Sequence, residues 1–162
     1  MIYEYCSKCG HQYDKTDTET FICSNCKHVV YLNSKPTAST VIVEGNKVLL
    51  GKRRLEPEKG KWDVIGGFLE YGEHPEVGAK REAKEETGLD VKIENFLGIF
   101  MDEYGIDKTS TLNIGYVATI VDGKPVAGDD VEELRWFNYN EQPNDIAFKN
   151  GREMLQAWIK QL

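Results

Sequence analysis

Short apolar runs alternate with polar residues along most of this chain, and two stretches carry a helical period instead. STVIVE (Ser39 to Glu44) and KVLLGKR (Lys47 to Arg53) read as strands, with Gly45-Asn46 between them as a hairpin turn. LEPEKGK (Leu55 to Lys61) is a charged loop, and WDVIGGF (Trp62 to Phe68) is a short extended run ending in two glycines and a phenylalanine. VKIENFLGIFMDEY (Val91 to Tyr104) and TLNIGYVATIV (Thr111 to Val121) are predicted as long strands, and EELRWFN (Glu132 to Asn138) as a further one.

The first helix is predicted over Pro75 to Thr87. Proline suits the first helical position, and Gly88 is placed to cap the far end. The second closes the chain in GREMLQAWIKQL, where Leu155, Trp158, Ile159 and Leu162 stand at i, i+3, i+4 and i+7. That stripe marks a face packed on a core, not a cofactor site. Strands alternating with helices place the chain in the α/β class.

A length of 162 residues, 40% hydrophobic and 29% charged, suits one ordinary globular domain with at most a small appendage. No apolar run approaches the ~20 residues that span a bilayer. MIYEYCSKCG has neither a basic start nor an apolar stretch, so no signal peptide is expected and the expected compartment is the cytosol. A net charge of −7 argues against general affinity for nucleic acid or an anionic membrane. It leaves room for a small anionic substrate, because bound cations reverse a local field.

Cys6, Cys9, Cys23 and Cys26 form two C-x2-C pairs. Their spacing points to a tetrathiolate zinc site, with two disulfides as the other reading. His11 and His28 each follow a pair by two residues and are alternative ligands, or simply residues of the knuckle turns. A segment this short lies below the ~40 residues at which a domain buries a useful core, so a structural metal would supply its folding energy. We expect a zinc ribbon over residues 1–35 and a second domain over residues 36–162, with Pro36 at the boundary. Ribbon charges balance, Lys8, Lys15, Lys27 and Lys35 against Glu4, Asp14, Asp17 and Glu19, which does not suggest a nucleic-acid surface.

Glu82, Glu85 and Glu86 sit at i, i+3 and i+4 on the first helix, within about 100° of arc. Like charges at that spacing repel. A solvated face softened by Arg81 and Lys84 is one explanation. The small residues Gly78, Ala79 and Ala83 suggest close approach by another element, and a carboxylate cluster in that setting needs a cation. Carboxylate oxygens suit Mg²⁺, which keeps water and substrate phosphates in its remaining positions.

Gly67, Glu73 and the run Arg81-Glu82-Ala83-Lys84-Glu85-Glu86-Thr87-Gly88-Leu89 resemble the complete Nudix box, G-x5-E-x7-R-E-U-x-E-E-x-G-U, where U is aliphatic. With the cysteine pairs ahead of it, the chain is similar to the zinc-ribbon branch of that superfamily, which includes NADH, FAD and ADP-ribose pyrophosphatases. RRLEPEKGKW before the box and DIAFKNGREML near the end also resemble that branch.

The resemblance implies a Nudix α/β/α sandwich with a mixed sheet, preceded by the small zinc ribbon. It implies Mg²⁺- or Mn²⁺-dependent cleavage of a pyrophosphate bond in a nucleoside diphosphate linked to another group, such as ADP-ribose, FAD or an NAD(H)-like dinucleotide. Glu82 and Glu86 would ligate metal, Glu85 would be a further ligand or the general base, and a backbone carbonyl near Gly66-Gly67 would complete the set. Arg81 would orient a glutamate, with Glu73 as its ion-pair partner. A later carboxylate is also expected; of Asp129, Asp130, Glu132 and Glu133, the spacing from Trp136 favours Asp130, then Glu133. Arg53 and Arg54, with Lys52, are candidates for substrate phosphates or a solvated strand edge, and Phe68, Tyr71 and Trp62 for stacking on a base, Trp62 more as core.

Some positions depart from the family pattern. Ile65 replaces the usual proline before the two glycines, and the NADH-specific motif SQPWPFPxS is absent downstream of Leu89. The proline found beyond the box in many ADP-ribose pyrophosphatases is missing, and Tyr104 stands near its position, either as a substrate contact of the kind associated with dinucleoside polyphosphate hydrolases or as an ordinary strand-end tyrosine. Two other functions stay open: a dinucleoside polyphosphate or nucleoside triphosphate hydrolase, and a non-catalytic nucleotide sensor. Members of this branch are often dimers, so a homodimer is also a candidate.

Overall fold

The computed structural model describes residues 3–14 and 19–162. Lys15 and Asp17, two of the ribbon charges, lie outside the described residues. The chain divides into two compact units, Met1–Ser34 and Lys35–Leu162.

Among its described residues the first unit holds a hairpin, β1 (Thr20–Ile22) with β2 (Val29–Tyr31), antiparallel. Its small core gathers Cys6, Tyr13, Phe21 and Cys23. Tyr13 and Phe21 meet edge to face at 5.6 Å. Two turns frame the thiols: Cys6 N–H donates to His11 O, and Cys23 N–H donates to His28 O.

The second unit is built on seven strands: β3 (Lys35–Glu44), β4 (Lys47–Arg53), β5 (Trp62–Asp63), β6 (Ile65–Phe68), β7 (Asp90–Tyr104), β8 (Thr109–Asp122) and β9 (Val131–Asn138). Two helices complete it, α1 (Pro75–Thr87) and α2 (Lys149–Ile159). β3 is the centre. It pairs in parallel with β8, and antiparallel with β4 at its C-terminal end and β6 at its N-terminal end. β7 lies beyond β8, and β9 pairs along β4. The sheet is therefore mixed.

Consecutive strand residues point to opposite faces, and both faces are covered. Val41, Leu50, Val64 and Val117 pack with Met154, Leu155 and Trp158 of α2. Their neighbours Ile42, Leu49, Ile65 and Ala118 pack with Ala83 of α1 and with Leu89. This double covering explains why β3 and β4 read as continuous apolar runs, not alternating ones. The result is an α/β/α sandwich with a mixed sheet.

Helix α1 has the expected bounds. His74 Nδ1 accepts from Glu76 N–H, and Gly88, at φ 70°, donates its N–H to Lys84 O. Gly45 alone of the Gly45-Asn46 pair has positive φ (58°), as in a type II′ hairpin. Three expectations change. WDVIGGF is two strands, because Trp62–Asp63 pairs with β4 while Ile65–Phe68 pairs with β3. β3 begins at Lys35, four residues ahead of the expected Ser39, and carries Pro36 inside it on the parallel β8 register. β8 also extends past both expected ends.

Candidate active site

The two glycines of β6 decide where the helix glutamates can go. A Cβ on Gly66 would stand 2.3 Å from Ser39 Oγ, and one on Gly67 would stand 2.6 Å from Glu82 Oε1. Without those side chains, α1 carboxylates reach onto β6. Glu86 Oε2 accepts from Gly66 N–H at 3.0 Å. Gly78 gives the same freedom to the loop ahead of the helix: a Cβ there would strike Leu69 and the Glu73 carboxylate.

Arg81 ties these groups together. Its Nε and Nη2 donate to the two oxygens of Glu73, each at 2.9 Å. Its Nη1 donates to Glu82 at 2.8 Å and to Glu85 at 2.9 Å. Nη2 also donates to Phe68 O at 3.1 Å. The Arg81 contact, with the N–H of Glu70, holds the Glu73 carboxyl down at about 2.

A cavity of about 290 Å³ opens beside this network. Its wall includes Gly66, Gly67, Glu82, Glu86, Asp129 and Asp130, with Arg53, Asp63 and Asp102 alongside. Phe68, Tyr104 and Phe148 also line it. The Phe68 and Tyr104 rings meet edge to face at 5.4 Å, and Tyr104 lies 5.6 Å from Phe148. The Arg53 guanidinium sits 4.9 Å over the Phe148 ring and 3.7 Å from Asp63 Oδ2.

Burial, then the charges of Asp130 and Glu82, pushes the Glu86 carboxyl well above the usual range. Burial also raises Glu82, against the pull of Arg81. Asp63 is pushed up to about 7, first by burial, with Arg53 and the Val64 N–H opposing and Asp102 and Asp130 adding to the rise. Three acids in one wall are thus held in a setting hostile to their own charge.

The loop before β9 brings the later acids to this wall. Gly128 N–H donates to Glu86 O at 2.9 Å, and a Cβ on Gly128 would stand 2.5 Å from Glu85 O. Arg54 holds the next step: its N–H donates to Asp130 O and its Nη2 to Val131 O, both at 2.7 Å. Arg54 is therefore a clamp on the acidic loop and does not line the cavity, where Arg53 does. Glu133 pairs with Arg135 and is also outside the lining. Of the later acids, Asp129 and Asp130 line the wall.

Glu85 is placed differently from its neighbours. Glu82 and Glu86 stand four residues apart in one row, whereas Glu85 falls about 60° to the side. Its side chain is 46% exposed and bound to Arg81, outside the cavity lining. Arg81 and Glu73 support the wall without lining it.

Asp63, Asp102, Thr37, Asn113, Phe148 and Asn150 line the cavity but were not singled out from the sequence. Asp63 left a trace there: it is the lone charged residue of the extended run WDVIGGF. The others are brought in by the pairing of β3, β7 and β8 and by the start of α2.

The four cysteines are free, and their sulfurs all lie within 4.8 Å of one another. Cys6 Sγ lies 3.7 Å from Cys26 Sγ, and Cys9 Sγ lies 3.6 Å from Cys23 Sγ. Sulfurs about 2.3 Å from a central ion at tetrahedral angles stand about 3.8 Å apart. The thiols thus have the geometry of a tetrathiolate site, and the disulfide reading falls. His11 and His28 contribute backbone carbonyls to the turns, as shown above. Among the described residues, these cysteines are the group of three or more such ligands brought close enough together to hold one ion.

Residues 34–158 match the NUDIX domain. The chain belongs to the Nudix family. An ADP-ribose pyrophosphatase of Methanocaldococcus jannaschii is 35% identical over 126 residues, covering 78% of this chain and 74% of that protein. An NAD-capped RNA hydrolase NudC of Haemophilus influenzae is 27% identical over 143 residues, 86% of this chain. This chain spans about half, 53%, of that relative's length. A crystal structure of a NUDIX hydrolase from Nitrosomonas europaea superposes with a TM-score of 0.84 at 30% identity, over 98% of this chain and 92% of that one. Among the described residues of this Nudix protein, no helix is long and apolar enough to cross a membrane.

Proposed function

We propose that this Nudix protein is a Mg²⁺- or Mn²⁺-dependent pyrophosphatase acting on a nucleoside diphosphate linked to another group, with ADP-ribose, FAD or an NAD(H)-like dinucleotide as the substrate class. The observation that carries this reading is the burial of Glu82 and Glu86 in one wall with Asp130, against glycines that leave room only for their carboxylates. Burial disfavours their ionised forms, and a bound cation would offset that cost. Hard oxygen donors suit Mg²⁺ or Mn²⁺, and Glu82, Glu86, Asp130 and the Gly67 backbone are the donors we assign.

When bound, the metal polarises phosphoryl oxygens and makes water a better nucleophile at neutral pH. The chain's own residues supply position and charge balance. Arg81, locked by Glu73, fixes the rotamer of Glu82. Arg53 is aimed at the negative charge of the diphosphate. Phe68, Tyr104 and Phe148 offer ring faces and edges for a base. The proton of the attacking water passes to a carboxylate of the cavity wall; Asp130 lines that wall and Glu85 does not. At the other unit, Cys6, Cys9, Cys23 and Cys26 hold a structural Zn²⁺.

The substrate class is supported by the relative named ADP-ribose pyrophosphatase. The ring contact of Tyr104 with Phe68 and Phe148 favours a second reading, a dinucleoside polyphosphate hydrolase, since an aromatic mouth can take a second base. The test is incubation with Mg²⁺ and a panel of ADP-ribose, FAD, NADH, diadenosine polyphosphates and nucleoside triphosphates, with products resolved by chromatography. AMP from ADP-ribose, FAD or NADH, lost in Glu86→Gln, supports the first reading. Turnover confined to the diadenosine compounds supports the second. No turnover by metal-replete protein, with nucleotide binding retained, moves the reading to a sensor.

A further inference from the structure

A row of three residues crosses the floor of the cavity on adjacent strands. Phe68 of β6 is paired with Thr37 of β3, and Thr37 is paired with Asn113 of β8. All three line the cavity. Thr37 is 8% exposed and Asn113 is 4% exposed. Yet Thr37 Oγ1 and Asn113 Oδ1 have no hydrogen-bond partner among the described residues. The Asn113 amide is not loose, because its Nδ2 donates to Ser39 Oγ at 3.0 Å. Two buried and unpaired polar atoms on neighbouring strands, both on residues that line the cavity, are costly unless something else pairs with them.

Their chemistry limits what that partner is. Asn113 Oδ1 only accepts, while a threonine hydroxyl both donates and accepts. An ionised phosphate has no proton for Oδ1, and an apolar group satisfies neither atom. A hydroxyl pair satisfies both: one O–H donates to Oδ1, and the neighbouring oxygen accepts from Thr37.

Position points the same way. Ser39, two residues along β3, is paired with Gly66, whose N–H holds Glu86. Two strand residues advance about 6.7 Å, so the Thr37–Asn113 row stands roughly one sugar unit from the acidic row. It also carries no charge, and Phe68 continues it toward the aromatic mouth. We propose that Thr37 and Asn113 form a specificity subsite that binds the hydroxyls of a ribose attached to the diphosphate. This rests on the pyrophosphatase reading above and deepens it.

The test compares the full-length wild type with Thr37→Val, which keeps the shape and removes the hydroxyl, and with Asn113→Ala. Each is titrated by calorimetry with ADP-ribose, with analogues lacking a 2′ or 3′ hydroxyl on one ribose or the other, and with the hypoxanthine analogue. Values of KM and kcat are measured in parallel. Wild type should bind one deoxy analogue about threefold to tenfold more weakly than ADP-ribose, the range for one neutral hydrogen bond. Thr37→Val should lose the same factor on ADP-ribose, mostly in KM, and nothing further on that analogue. A wild type that binds all deoxy analogues as well as ADP-ribose overturns the subsite and leaves the pyrophosphatase reading intact; the two atoms then hold water. Should Thr37→Val instead erase a preference for adenine over hypoxanthine, the row reads a base edge and the sugar assignment falls. If wild type neither binds nor turns over any nucleotide, both readings fail. Asn113→Ala guards against a Thr37 effect on folding alone, because it should remove the same deoxy penalty from the other strand.

Discussion

The carboxylate of Glu86 is anchored on the backbone N–H of Gly66, so a helix side chain is fixed to the strand it reaches across. The contact exists because neither Gly66 nor Gly67 carries a Cβ. Several measurable consequences follow from that crossing and from the groups around it.

Glu86→Gln should have opposite effects with and without metal. Burial raises the Glu86 carboxyl, so its ionised form costs stability in metal-free protein at neutral pH. The neutral amide keeps the size and removes that cost. We expect the metal-free variant to melt at or above the wild-type temperature. Wild type should rise in Tm with added Mg²⁺, as any ligand that binds only the folded state produces, and the variant should rise much less. Thermal melts across a Mg²⁺ titration check both.

Gly67→Ala should impair the site and spare the fold. The new methyl would meet the free end of the Glu82 side chain, which can swing away. Displacing it should cost about 10–100-fold in kcat/KM, the range for disturbing groups that orient metal ligands. Tm should change by only a few degrees, since the fold is not asked to move. Equal loss of activity and stability would mean that the strand itself has shifted.

Glu73→Gln should weaken both the fold and the site. It breaks the two-point contact with Arg81 and leaves a half-paired guanidinium. About 1–3 kcal/mol of unfolding free energy should be lost, read from urea denaturation. Its effect should be strongly non-additive with Arg81→Lys, because both remove the same contact.

Asp63 should make the metal-free protein less stable as pH rises. Its carboxyl moves from an ordinary value near 3.8 to about 7 on folding. Between those values Asp63 holds more proton in the folded chain than in the unfolded one, so the stability it contributes is fully present below pH about 4 and is lost as pH rises toward about 7. Asp63→Asn retains an acceptor for the Val64 N–H and removes the titration. The variant should show a flatter dependence of Tm on pH over that window.

Loss of zinc should act on the first unit. Wild type should release about one zinc per chain to a chromogenic chelator, the stoichiometry of a four-thiolate site. Cys23→Ser should abolish this and increase proteolysis within residues 1–34, while residues 35–162 persist as a resistant fragment.

Much of this molecule is written locally in its sequence. The bounds of α1 follow from Pro75 at one end and Gly88 at the other, both backbone effects that need no distant partner. The cysteine pairs and the box motif are equally local, because ligands and a helix row are defined by spacing along the chain. Strand positions were legible to within a few residues from apolar runs.

The remaining features came from pairing between distant segments. Spacing from Trp136 ranked Asp130 ahead of Glu133; the grip of Arg54 on Asp130 O and Val131 O, and of Glu86 O on Gly128, brings Asp130 and not Glu133 to the cavity wall. Arg54 and Glu85 stand outside the cavity lining, held by hydrogen bonds to a neighbouring loop and to Arg81 that no spacing along the chain announces. Asp63 entered because β5 and β6 pair with different strands. Thr37 and Asn113 meet only through the parallel register of β3 and β8. The helix, the cysteine pairs and the family are thus readable from spacing along the chain. Which acids share a wall, and which buried polar atoms stay unpaired, follows from burial and register between segments dozens of residues apart.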